Sequence, residues 1–196
     1  MKVTNTFMAA LSGAALLLAL SGCGGDDTGK KQDAWAKGVC DQAAAQITRI
    51  NAASTALSKV PGSGEPEAVK AADALNFQTI AGAYASLAGI VNAAGPAPGD
   101  DGAAYQKNAV SVFTGLSGQY ADLKKQTDGL DTSDRQKFAD GLNGVSTQLT
   151  KVVANGRQQL DTLSQGDMGK ALAKQPGCQR VSGSATSSSG ASPASS

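Results

Sequence analysis

The side chains best suited to covalent chemistry in this chain of 196 residues are three cysteines, Cys23, Cys40 and Cys178, and the chain contains no histidine. A Ser-His-Asp triad and a Cys-His pair are therefore excluded, because both use an imidazole as the general base. The imidazole ligands of most zinc sites are missing for the same reason. We expect no catalytic residues, no metal ligands and no cofactor, and hence not an enzyme.

Two groups of aspartates are the other candidates for chemistry. Asp128, Asp131 and Asp134 cluster before one predicted helix, and Asp100 and Asp101 precede another. Neither group matches the calcium loop D-x-[DN]-x-[DN]-G-x₅-E. Loop solvation and capping of the helix N-termini explain both groups more simply, and a weak cation site is the alternative.

The first residues form a leader that ends at a cysteine. Lys2 gives a basic start, apolar and small residues follow over 7–19, and Leu20-Ser21-Gly22-Cys23 closes the segment. This order is typical of a secretory signal peptide. The apolar run is shorter than the roughly 20 residues of a spanning helix. An ordinary signal peptide with an incidental cysteine is one alternative, and an uncleaved anchor is the least favoured.

The segment Leu20-Ser21-Gly22-Cys23 resembles the lipobox of bacterial lipoproteins. The resemblance implies that the Cys23 thiol receives a diacylglyceryl group and that cleavage falls between Gly22 and Cys23. Membrane lipid is then the partner of acylated Cys23. We expect an extracytoplasmic protein anchored to the outer face of the cytoplasmic membrane, with release to the medium as the alternative.

The charge of the mature chain is balanced. Removing residues 1–22 leaves 174 residues, with 16 Lys and Arg against 16 Asp and Glu. Nucleic-acid binders concentrate basic charge on one face, so we expect no nucleic-acid partner.

Apolar residues of the mature chain recur at alternating steps of three and four, the period of an amphipathic helix. They predict four long helices, separated by Gly- and Pro-rich turns, and a short fifth helix over 168–174 that Pro176-Gly177 ends. The stripe of the second helix is Val69, Asp73 or its neighbour Ala72, Phe77, Ile80, Tyr84, Leu87, Val91 and Ala94. The fourth helix opens with Ser133-Asp134-Arg135-Gln136, which fits a capping box with Ser133 as the cap. The fold class is all-α, an up-down-up-down four-helix bundle. The chain divides into a signal peptide (1–22), a flexible tether (23–30), a bundle domain (31–180) and a disordered Ser/Gly/Ala tail (181–196).

If Cys23 carries lipid, one pair of cysteines remains. In an oxidising, exported setting Cys40 and Cys178 are expected to form a disulfide, and two free buried thiols are the alternative. Cys40 lies about 15 Å into the first helix, and the fifth helix spans about 12 Å. A fifth helix that folds back along the bundle would therefore bring Cys178 to the depth of Cys40.

Several segments resemble the small secreted lipoproteins of high-GC actinobacteria. They are the lipobox, Trp35-Ala36-Lys37-Gly38-Val39-Cys40-Asp41, Phe138-Ala139-Asp140-Gly141-Leu142 and Ala173-Lys174-Gln175-Pro176-Gly177-Cys178. The resemblance implies export and a helical body. That family has no established activity, so no functional residue is transferred.

Helix 4 is the best place in the sequence to look for a groove. It contains three glycines, which indicate either close packing against helix 1 or 3 or an open groove: Gly141, Gly144 and Gly156. Three tyrosines are either core residues or the lining of such a groove: Tyr84, Tyr105 and Tyr120. We predict a non-catalytic binding or interaction module whose protein or ligand partner is unknown. The alternative is a bundle that binds a small molecule or metal in an interhelical pocket.

Overall fold

The computed structural model describes residues 26–60 and 64–182 and confirms the all-α prediction. This part of the chain contains no strand. Cys23, the leader and most of the predicted tail lie outside it. The helices are α1 (Asp26–Leu57), α2 (Pro66–Ala94), α3 (Gly102–Asp128), α4 (Arg135–Leu163), α5 (Gly166–Ala173) and α6 (Pro176–Ser182).

Three helix boundaries differ from the prediction. The expected tether is helical from Asp26 onward; Asp27 in the first turn favours an early start, since an acidic group stabilises a helix N-terminus. The cap of α4 is Asp134 rather than Ser133, because the Asp134 carboxylate accepts from the amides of Gln136 (2.9 Å) and Lys137 (3.1 Å).

The third difference is a sixth helix. Pro176 was expected to end the fifth helix, but it opens α6, which carries Cys178 and continues to Ser182. Proline is favoured in a helix's first turn, where its missing N–H would have no intrahelical partner. The helical body therefore extends past its predicted end at residue 180.

Helix α2 is the central helix of the core and packs against both α1 and α3. The predicted stripe is its buried face, with Val69, Phe77, Ile80 and Val91 all less than 5 % exposed. By length and composition α2 could cross a membrane. Because α2 packs against two neighbouring helices, its apolar composition is equally that of a core helix.

The disulfide between Cys40 and Cys178 is present, with Cα atoms 5.2 Å apart. The fold-back that it needs is confirmed, because α5 and α6 both pack against α1. A Cβ atom at Gly177 would overlap the carbonyl of Cys40, so glycine permits this close approach. An ion pair between Lys174, the residue that follows α5, and Asp33 of α1 (3.1 Å) adds a second link.

Candidate functional site

The ring of four long helices is not closed. Helix α1 packs against α2, α2 against α3 and α3 against α4, whereas close contacts between α1 and α4 are few. The cleft between α1 and α4 has α2 and α3 as its floor and α5 and α6 at one end. It contains two cavities, which we call the upper chamber, beside the disulfide, and the lower chamber, near the end of α1.

The upper chamber is a cavity of about 420 Å³ with a predominantly apolar wall. Helices α1 to α5 all contribute to it. The main apolar contributors are Trp35, Ile47, Leu87, Phe113, Leu160 and Leu172. Two exposed charged residues of α4, Arg157 and Asp161, border it. The chamber therefore offers an apolar interior beside a polar rim.

Hydrogen bonds fix two aromatic side chains of the upper chamber. The indole N–H of Trp35 donates to the carbonyl of Gly95 (3.2 Å), and the Tyr105 hydroxyl donates to the carbonyl of Leu163 (3.3 Å). The two rings meet edge to face, with centroids 6.2 Å apart. Because both polar ends are satisfied by backbone, the ring surfaces are held in place beside the chamber.

The lower chamber is a cavity of about 410 Å³ with a more polar lining. Leu57, Phe77 and Leu149 give it apolar walls. Hydroxyl and amide side chains from α1, the turn after it and α4 also line it: Ser54, Ser58, Asn143 and Ser146. One carboxyl group, that of Asp73 on α2, completes the lining.

An aromatic ladder joins the floors of the two chambers. Phe113 stacks on Tyr84 with centroids 6.3 Å apart, and Tyr84 stacks on Tyr120 at 5.8 Å. Phe77 follows at 6.4 Å from Tyr120. Phe113 and Tyr84 line the upper chamber, and Tyr120 and Phe77 the lower one. The two cavities are thus neighbouring parts of one cleft.

The tyrosines of the cleft are neutral at physiological pH. Burial raises the pKa of Tyr105 to about 12. Burial also raises the pKa of Tyr84, and the neighbouring Tyr120 raises it further. Such phenols serve as hydrogen-bonding and packing groups, because their pKa values lie far above the value that proton transfer near pH 7 requires.

Asp73 is the unusual ionisable group of the cleft. It occupies a core position on the buried stripe of α2, between Val69 and Phe77, and is 8 % exposed. No hydrogen bond or ion pair joins its side chain to another residue of the described ranges. Burial raises its pKa above the usual aspartate value, because an apolar setting disfavours the charged form.

Three of the five aspartates singled out from the sequence have structural roles. Hydrogen bonds from the Ser133 hydroxyl and amide hold the carboxylate of Asp131 and lower its pKa. Asp134 caps α4, and Asp128 pairs with Lys124 at 2.6 Å. Asp101 precedes α3 but makes no side-chain cap. Among residues 26–60 and 64–182, no group of His, Cys, Asp and Glu is arranged to hold a metal.

The glycines of α4 serve close packing at two positions. A Cβ at Gly156 would lie 2.9 Å from Leu116 of α3, and one at Gly141 would lie 2.6 Å from Leu130. A Cβ at Gly144 would meet no atom within 4 Å. The cleft does border α4, but it results from the gap to α1 rather than from these glycines. Tyr84, Tyr105 and Tyr120 all border the cleft, and Tyr120 is at the same time a buried core residue.

Asp73 was not predicted as a site residue, although either Asp73 or Ala72 falls on the predicted stripe of α2. The available signal was an acidic residue at a core position. Comparisons with protein-family models, with curated proteins and with solved structures find nothing that matches this chain.

Proposed function

We propose that this chain is an exported, lipid-anchored binding protein of the cell envelope, and that the upper chamber of its cleft holds a small apolar molecule. Acylated Cys23 would attach it to the membrane, with no catalytic step. The leader and its lipobox resemblance support export. The disulfide between Cys40 and Cys178 supports it independently, since such bonds persist in oxidising compartments.

The observation that carries the binding role is the concentration of aromatic side chains at the cleft. The chain has eight aromatic residues, namely one Trp, three Tyr and four Phe. Six of them line the two chambers: Trp35, Phe77, Tyr84, Tyr105, Phe113 and Tyr120. Phe77 and Tyr120 also belong to the buried core, whereas Trp35, Tyr84, Tyr105 and Phe113 are only partly buried because they border the cleft.

The size of the upper chamber suits a small ligand. Its volume of about 420 Å³ lies within the roughly 300–1,000 Å³ typical of ligand pockets. An apolar wall with few polar groups favours a ligand whose binding comes from buried apolar area. Arg157 and Asp161 at the rim would meet whatever polar end such a ligand carries.

A fluorescence titration tests this proposal. The Cys23→Ser chain, purified without detergent, is titrated with the neutral apolar probe N-phenylnaphthylamine. Trp35 is the only tryptophan of the chain and lines the upper chamber, so bound probe should change its emission. We expect saturable binding to a single site.

A matched pair of substitutions locates the probe. Ala173 and Ala154 are both exposed alanines, but Ala173 lines the upper chamber and Ala154 lines neither cavity. Ala173→Phe should weaken probe binding, and Ala154→Phe should leave it unchanged. Absence of saturable binding, or equal effects of the two substitutions, would contradict the proposal.

A further inference from the structure

The lower chamber has a feature that the upper chamber lacks, a buried carboxyl group without a partner. Asp73 is more than nine-tenths buried and lines this cavity. Every fully buried side-chain nitrogen or oxygen in the described part of the chain has a hydrogen-bond partner. The unpartnered carboxyl of Asp73 must therefore retain contact with open space, and the chamber provides that space.

The charge of this carboxylate is not balanced by the residues around the chamber. The lining contains no lysine or arginine and no second acid. Its other polar residues are neutral: Ser54 of α1, Ser58 just after α1, Asn143 and Ser146 of α4, and Tyr120 of α3. Lys70, one turn before Asp73 on α2, instead donates to the carbonyl of Leu130 at 2.9 Å. No residue of this lining can therefore serve as the counter-ion of Asp73.

The surfaces beside Asp73 suit an organic cation better than a metal ion. Phe77 and Tyr120 are aromatic members of the same lining, and aromatic faces attract ammonium groups. Leu57, Val69 and Leu149 offer apolar area to the rest of a ligand. A hard metal ion would require several carboxylate or carbonyl oxygens, whereas the lining has a single carboxylate.

We propose that the lower chamber binds a protonated amine carried on an apolar body, with Asp73 as its counter-ion. The ammonium group donates to the carboxylate, and the apolar body lies between Phe77, Tyr120 and Leu149. This site is separate from the upper chamber and does not depend on a ligand being bound there. It also gives a reason for an acidic residue in the apolar stripe of α2.

Calorimetric titration of the Cys23→Ser chain with three probes of one shape tests the proposal. Phenylbutylamine, phenylbutanol and phenylbutanoate share a ring and a chain but differ in the charge of the end group. We expect the amine to bind more tightly than the alcohol by about tenfold or more, as for a desolvated charge pair. The carboxylate should bind weakest, because it faces a like charge.

Two charge-removing variants assign the preference to one residue. Asp73→Asn keeps the shape of the side chain and should abolish the preference for amine over alcohol. Asp122→Asn makes the same change in charge at an exposed position on α3 that lines neither chamber, and should retain the preference. The melting temperature of each variant shows that it is folded.

Several outcomes would overturn the proposal. These are equal binding of the three probes, no binding of any of them, and an amine preference that survives in Asp73→Asn. Ala173→Phe alters the upper chamber alone and should leave the preference intact; its loss in that variant would place the amine in the upper chamber and refute this assignment. Failure of N-phenylnaphthylamine to bind would contradict the upper-chamber function but not this site.

Discussion

Replacing Asp73 by leucine should stabilise the fold. An unsatisfied polar group in the interior costs about 1–3 kcal/mol. Asp73 is 8 % exposed with no partner in the described residues, and the contact of its carboxyl with the open chamber reduces this cost without removing it. Leucine removes that cost and adds apolar contacts, and the adjoining cavity of about 410 Å³ has room for it. We expect a gain of about 1–3 kcal/mol near pH 7, or about 2–4 °C in Tm for each kcal/mol in a chain of this size.

The gain should depend on pH, with a sign that follows from the pKa of Asp73. Burial raises this pKa above 3.8 in the folded state, so the folded chain binds the proton more tightly than the unfolded chain. The cost of the charged form is fully present above the folded pKa and is relieved as the pH falls from that value toward 3.8. The advantage of leucine over aspartate should therefore be largest near neutral pH and shrink in acid.

Urea denaturation followed by circular dichroism measures both effects in the Cys23→Ser background. Asp122→Leu is the control, because Asp122 is exposed on α3 and such substitutions usually change stability by less than about 0.5 kcal/mol. A neutral or destabilising Asp73→Leu, with a well-behaved control, would show that the carboxyl is solvated or paired. The amine site would then lose its main argument.

Three further predictions concern the anchor, the core and the disulfide. Cys23→Ser should release the protein from membranes or leave an unprocessed precursor, and a normally processed membrane form in cell fractionation would contradict the lipobox interpretation. Leu123→Ala, at a fully buried position, should lower the free energy of unfolding by about 2–5 kcal/mol. Leu149→Ala, at the partly exposed wall of the lower chamber, should lower it by less. If urea denaturation gives the reverse order, the cleft is closed in solution. Cys178→Ser should cost about 2–5 kcal/mol and expose α5 and α6 to hydrogen exchange. Two reactive thiols in the unreduced, unfolded Cys23→Ser chain would disprove the disulfide.

The helices and the disulfide could be predicted because their signals are local or few. The stripe of α2 from Val69 to Val91 has the 3.6-residue period of a buried helical face, and it is buried as predicted. If Cys23 carries lipid, two cysteines remain in the sequence, so Cys40 and Cys178 can form a disulfide only with each other. The cap of α4 was misplaced by one residue because Ser133 and Asp134 are both good caps.

The cleft could not be predicted from the same pattern. An apolar stripe shows which face of a helix avoids water, but it does not distinguish a neighbouring helix from a cavity. Leu142, Leu149 and Leu160 continue the stripe of α4, yet they are only partly buried because they face the cleft. Whether α1 and α4 touch depends on the long-range placement of α5 and α6, which short segments do not encode.

The disulfide explains how the bundle can leave one interface open. Without a close α4 neighbour, α1 is held by α2 on one side and by α5 and α6 on the other. The Cys40–Cys178 bridge spans 138 residues of sequence, and loop-entropy arithmetic assigns such a closure up to about 5 kcal/mol. That contribution can offset the apolar contacts which a closed α1–α4 interface would supply. Six of the eight aromatic residues of this aromatic-poor chain line the two cavities of the resulting cleft, and this placement supports the binding role proposed above.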